Sequence, residues 1–283
     1  MLKLCKRICT SKAKNDNMHF SLQNYLLKKR EKNQKLLSLF LTAGFPQIDA
    51  TVPLLKLLDE AGADLIELGI PFSDPLADGP TIQRTSQIAL QNGVTLKTVL
   101  EMAAAVKSNL RAPLILMGYY NPILQFGPET FAQAAAKAGV QGLIIPDLPP
   151  KESLALREIA GQLGISLIYL VSPNTSLKRL QLIDELTTSF IYAVSITGVT
   201  GARANVADSA RAFLQNLRSQ VRHPVLVGFG VSNAAEARIL SAFCDGVIVG
   251  SALLTQIEKN GLTNAGVKKT SEFIREIREG LNG

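Results

Sequence analysis

The chain has no tryptophan, two histidines (His19 and His223) and three cysteines (Cys5, Cys9 and Cys244) in 283 residues. So few histidines leave a His-rich metal site or a histidine-based triad poorly supplied. Three cysteines give no disulfide framework and point to a reducing compartment. No apolar run approaches the roughly 18 residues that a membrane-spanning helix needs. What is present is an ordinary globular mixture, 47% apolar and 19% charged, able to bury a large core.

A net charge of +7 suggests an anionic partner such as nucleic acid when taken whole. Its distribution argues otherwise. Lys3, Lys6, Arg7, Lys12 and Lys14 stand against Asp16 alone in residues 1–17, so +4 belongs to a short head and +3 to the rest. No aromatic–basic platform accompanies the charge, and neither nucleic acid nor a membrane is an expected partner. The head has no apolar core long enough for secretion and few serines for a transit peptide. Residues 1–17 therefore read as a disordered extension, such as an upstream start codon would produce. The expected location is the cytoplasm, or a plastid if the head is a targeting remnant. From His19 an amphipathic helix runs through Leu22, Tyr25 and Leu26.

Beyond it, short apolar runs alternate with helical patterns. Strands are expected near 36–41, 64–68, 113–117, 141–145, 166–171, 189–194, 223–228 and 245–249. Helix-period stretches include 49–61, 97–109, 129–138, 151–162, 176–187, 206–219, 233–241 and 265–281. The strands are apolar throughout rather than alternating, as in a parallel sheet covered on both faces. In AGADLIELG, AGVQGLIIP and LGISLIYLV a glycine closes a helix just before a strand. Eight such units over residues 18–283 make one α/β domain, a single (β/α)8 barrel of the TIM type with an extra N-terminal helix. A doubly wound open sheet gives the same local signal; the count of eight favours the barrel.

The longest connections follow strands 2 and 6, both at the C-terminal face where barrels place their active sites. Leaving strand 2, Glu67 interrupts an apolar run, and Asp78 sits eleven residues on in a loop carrying Pro71, Pro75 and Pro80. A desolvated glutamate there has the raised pKa of a general acid; the alternative is a strand-end cap or an arginine pair. Asp74 and Asp78 taken singly are ordinary turn formers. After strands 7 and 8, Gly228-Phe-Gly230 and Gly250-Ser251 each read as opening a helix, a pairing suited to phosphate though a lone GxG is more often a tight turn. The loop after strand 6, with Gly198, Thr200 and Gly201, reads as a lid or as a plain connection. No lysine sits in an expected strand, which disfavours a Schiff-base aldolase, and the GxGxxG fingerprint is missing. What remains is cofactor-free acid–base chemistry on a phosphate ester. A phosphoribosyl isomerase would need acidic residues at strands 1 and 5, which LSLFLTAG and LIYLVSPN do not supply.

The motifs LFLTAGFP at 39–46, ELGIPFSDPLADGPTIQ at 67–83, LMGYYNP at 116–122, PDLP at 146–149, GVTGAR at 198–203 and GFG at 228–230 resemble the tryptophan synthase alpha subunit family over about residues 20–280. The resemblance implies retro-aldol cleavage of indole-3-glycerol phosphate to indole and glyceraldehyde 3-phosphate. It makes Glu67 the acid–base and Asp78 the anion beside the indole N–H, with Tyr192 and Thr200 in support. It places Phe40, Leu116 and Phe229 in the indole pocket, and Gly201, Gly230, Gly250 and Ser251 on the phosphate. It implies no metal and no cofactor in this chain. Pyridoxal phosphate belongs to a beta subunit expected to join it in an alpha2–beta2 tetramer, through the 71–80 loop with Asp74 and Pro75. An interaction subunit that chiefly activates such a partner is the reading from a different class.

Overall fold

The computed structural model describes residues 21–194, 203–228 and 230–283. Eight parallel strands pair in sequence order and close on themselves: β1 (Leu36–Thr42), β2 (Leu65–Gly69), β3 (Leu114–Met117), β4 (Val140–Ile144), β5 (Ser166–Val171), β6 (Ile191–Val194), β7 (Val225–Gly228) and β8 (Gly246–Val249). All eight expected strands are present, with bounds moved by two residues or fewer. The helices are α1 (Leu22–Glu31), α2 (Thr51–Glu60), α3 (Pro80–Gln91), α4 (Leu96–Val106), α5 (Tyr120–Phe126) and α6 (Pro128–Lys137), then α7 (Leu154–Gln162), α8 (Leu177–Leu186), α9 (Arg203–Gln220), α10 (Ala234–Ser241), α11 (Ser251–Asn260) and α12 (Asn264–Asn282).

Local chemistry sets these boundaries. Ser21, Thr95, Ser176, Asn233 and Thr263 each accept an N–H from the first turn of the helix that follows, satisfying a donor the helix itself cannot. The glycines expected to close helices before strands do so: Gly62, Gly139 and Gly164 have φ of +111°, +85° and +77°.

The strands carry two cores because both faces are apolar. Leu37, Leu39, Leu41, Ile66 and Leu68 point outward and pack under the helices. Leu36, Leu65, Ile115, Ile144, Ile168, Phe190, Leu226 and Ile248 fill the barrel. The expected N-terminal helix, α1, stoppers the N-terminal end of the barrel with Leu22 and Leu26. Tyr25 Oη donates to the Asp64 carbonyl at 3.1 Å, and Lys29 Nζ meets Asp64 Oδ1 at 2.7 Å.

Three buried aspartates lace that end together. Asp64 accepts from the Leu37 N–H at 2.9 Å and from Arg278. Asp59 accepts from the N–H groups of Arg111 and Ala112, and Asp184 from those of Arg222 and His223. Each therefore ties a helix or strand edge to the start of another strand. Cys244 is also buried, its thiol pushed up to about 12 chiefly by burial, so it is inert packing. Among the described residues no helix is long and apolar enough to cross a membrane.

Candidate active site

Glu67 is buried at the middle of β2, across from Phe40 of β1 and Ile115 of β3. Its Oε1 accepts a 2.6 Å hydrogen bond from the Ser38 hydroxyl. Its Oε2 is buried and has no hydrogen-bond partner among the described residues. Burial raises the carboxyl to about 7, against the smaller downward pull of Ser38. Among the described residues, neither the cap nor the arginine pair open to a strand-end glutamate is found. The fully laced aspartates at the opposite end show what such a structural carboxylate looks like.

Asp78 lies on the loop that follows β2. The Tyr119 hydroxyl donates to Asp78 Oδ2 at 3.0 Å and accepts from the Ala77 N–H at 2.9 Å. Gln83 Nε2 holds the Asp78 carbonyl at 2.9 Å, and the Tyr119 ring stacks on Phe72 with centroids 5.1 Å apart. Burial raises the Asp78 carboxyl, with the Tyr119 bond acting against it. Tyr192 of β6 completes the group. Burial, then the nearby Glu67 and Asp78, push its phenol far above the ordinary tyrosine value, so it stays neutral. Gly228 of β7 leaves room for that ring: a Cβ there would stand 2.8 Å from Tyr192 Cε1.

A nearly closed cleft, with about 10 Å³ of free space, lies on the same face beside Asp78, and Glu67 is not among the residues that line it. Phe40, Ile70, Asp78, Met117, Tyr119 and Pro146 line it. Phe40 is thus where the pocket was expected. Leu116 is not. It is 1% exposed and packs in the core between barrel and helices. Side chains alternate along a strand, and β3 faces inward at Ile115 and Met117, so Met117 lines the cleft and Leu116 points away.

Beside the cleft, Gly250 is the N-cap of α11 and Ser251 its first residue, so unpaired N–H groups are presented there. The expectation that Gly228-Phe-Gly230 opens a helix is not met. Gly230 has φ +68°, but α10 begins only at Ala234 under an Asn233 cap. Pro80 likewise is not loop but the first residue of α3. Thr200, Gly201 and Phe229 lie outside the described residues, as does the 1–17 segment. Ser38, Met117 and Tyr119 were missed from sequence. Tyr119 did carry a signal, lying within LMGYYNP at the C-terminal end of a strand. Among the described residues no cluster of His, Cys, Asp and Glu could hold a metal.

A family model for the tryptophan synthase alpha chain matches residues 26–282. The chain belongs to that family. The tryptophan synthase alpha chain of Dehalococcoides mccartyi is 44% identical over 249 residues, 88% of this chain and 96% of that one. The tryptophan synthase of Saccharomyces cerevisiae is 45% identical over 240 residues, which are 84% of this chain but 34% of the yeast protein. The crystal structure of tryptophan synthase subunit alpha from Legionella pneumophila superposes with a TM-score of 0.85 at 35% identity, covering 93% of this chain and 99% of that one. Members of the tryptophan synthase alpha family are lyases of tryptophan biosynthesis that cleave indole-3-glycerol phosphate to indole and glyceraldehyde 3-phosphate. They do so without a cofactor of their own, pyridoxal phosphate being held by the beta chain.

Proposed function

We propose that Glu67 is the acid–base of this cleavage and Asp78 its electrostatic partner. Glu67 first gives a proton to indole C3, and Asp78 accepts from the indole N–H as positive charge spreads onto that nitrogen. The Glu67 carboxylate then takes the proton of the adjacent glycerol hydroxyl. The bond from C3 to the side chain breaks, its electron pair restores the aromatic ring, and the hydroxyl carbon leaves as the aldehyde. Glu67 ends protonated as it began, so protons and charge balance.

The observation that carries this reading is Glu67 Oε2, without a hydrogen-bond partner among the described residues, on a carboxyl held near neutrality, where both protonation states are accessible. Tyr192, buried and near both carboxyls, stays neutral. Phe40 and Met117 offer apolar surface to an indole ring, with Phe229 assigned there by resemblance. Gly250 and Ser251 supply helix N–H groups for the substrate phosphate; Gly230 and Gly201 join them and Thr200 orders Asp78, again by resemblance.

The partner assigned is a tryptophan synthase beta chain, in an alpha2–beta2 assembly. Two facts support it. Leu76, at the tip of the 71–80 loop beside Asp74 and Pro75, is 92% exposed, an apolar side chain offered to something else. In the yeast tryptophan synthase this chain matches only 34% of the length, leaving further chain for the rest of that protein.

The test is indole release from indole-3-glycerol phosphate by full-length Glu67→Gln, with and without a beta chain. Loss of turnover in a folded protein is expected, and turnover near the parent's would remove Glu67 from the mechanism. Asp78→Asn is expected to lose rate while keeping most substrate affinity.

A further inference from the structure

We propose that Ser38 is a positioning residue for this reaction: by clamping Oε1 of Glu67 it commits Oε2 to the proton transfers. The proposal rests on the reading of Glu67 as acid–base. Ser38 is fully buried in a strand that otherwise reads Leu-Leu-Leu-Phe-Leu before Thr42. A buried hydroxyl costs stability unless it is hydrogen-bonded. The side-chain partner it has is the glutamate, at 2.6 Å.

The register fixes the direction of the clamp. Ser38 pairs with Leu65 and Phe40 with Glu67, so the serine lies one inward-facing layer nearer the N-terminal end of the barrel. It therefore holds one oxygen toward the N-terminal end of the barrel, away from the catalytic face, while the other is buried and has no hydrogen-bond partner among the described residues. A freely rotating carboxyl would instead share the incoming proton between two oxygens and lose alignment with indole C3.

The groups that face Glu67 limit what else could tune it. From β1 these are Ser38 and Phe40, from β3 Ile115 and Met117, from β6 Tyr192, and beyond them Asp78. Only Tyr192 and Asp78 in this set titrate, and neither donates to Oε1. A donor to the charged form favours that form, so removing Ser38 leaves Glu67 easier to protonate.

The experiment is the pH profile of kcat and kcat/KM for indole release by full-length Ser38→Ala, Ser38→Thr and the parent, from about pH 5.5 to 9. In Ser38→Ala the ionisation assigned to Glu67 is expected to move up by about one pH unit. With it, kcat falls several-fold while KM changes less than about two-fold, because Ser38 is buried beneath the cleft. Ser38→Thr, which keeps the hydroxyl, restores the profile. A lowered melting temperature with an unmoved profile would make Ser38 merely structural and overturn the proposal.

Carbon-13 titration of the Glu67 carboxyl, its signal identified by loss in Glu67→Gln, gives the same answer without turnover. An unchanged midpoint in Ser38→Ala also overturns the clamp. If Ser38→Ala does not fold, Ser38→Cys, with its weaker donor, takes its place in both measurements. Turnover retained in Glu67→Gln strikes the acid–base reading instead, and the carboxyl titration still decides whether the clamp exists.

Discussion

Tyr119→Phe removes one oxygen and leaves the ring on Phe72, so it isolates the hydroxyl that holds the Asp78 loop. That oxygen makes two bonds, accepting from the Ala77 N–H at 2.9 Å and donating to Asp78 Oδ2 at 3.0 Å. A bond to a charged acceptor contributes about 1.5–3 kcal/mol when buried. Asp78 is half-buried at the cleft mouth, so solvent screens part of this, and about 1–2 kcal/mol is a fair share. If that holding acts on the transition state, kcat/KM falls roughly 5- to 30-fold, since each 1.36 kcal/mol is tenfold. Losing the donor also raises the Asp78 carboxyl further, in the same direction as burial. The assay is steady-state indole release against substrate concentration at several pH values, beside a thermal melt. A variant within two-fold of the parent in kcat/KM would show that Asp78 is placed by its backbone alone, and the account of Tyr119 would fall.

Glu67→Gln is expected to stabilise the fold as it abolishes turnover. The Glu67 carboxyl rises from its ordinary 4.5 to about 7 on folding, so the folded chain holds a proton that the unfolded chain has lost between those values, and stability drains away as pH climbs through that window. The glutamine variant escapes this loss, so its melting temperature should draw ahead by several degrees from pH 4.5 to pH 8, on the order of 2–3 kcal/mol; a pH-independent gap would refute the assignment. Gly69→Ala places a Cβ 2.5 Å from Phe40 Cζ, and because Phe40 is wedged at the cleft its ring must swing. Substrate KM is expected to rise with a stability loss of about 1–3 kcal/mol; an unchanged KM would show that Phe40 does not bound the substrate.

The strands were legible because most are apolar runs with a glycine or proline within two residues of their end, a signal that survives without tertiary context. Helix α3 was not, and its buried face explains why. Thr85, Ser86 and Ala89 turn inward, with Thr85 hydrogen-bonded to Thr42 at 2.8 Å, so the apolar period that marks a helix is missing. Helix α5 is seven residues long and carries Pro122 in its first turn, which reads as a breaker. At the site, Glu67, Asp78 and Phe40 stood out by residue type and motif. Leu116 was misplaced because a wholly apolar strand hides which residues face inward. The buried glutamate on the neighbouring strand could have set that phase. Ser38 and Tyr119 act through bonds across 29 and 41 residues of chain, which no local pattern encodes.

The two ends of the barrel use the same functional group for opposite purposes, and what separates them is the supply of donors. Asp184 is buried, which alone would raise its pKa. Bonds from His223, Arg222 and two backbone N–H groups outweigh that and lower it, so the carboxylate stays charged and braces a strand start. Glu67 is buried more deeply and receives, among the described residues, one bond, from a neutral hydroxyl, so burial prevails and the proton becomes exchangeable near neutral pH. A second donor to Oε2 would bring Glu67 into the structural class and remove its use as an acid. The site is thus made by what the inner face of the barrel withholds. The strands around Glu67 present Phe40, Ile115 and Met117 where an arginine or a backbone N–H stands at the other end, and the same apolar residues that deny it a partner form the surface on which an indole ring can lie.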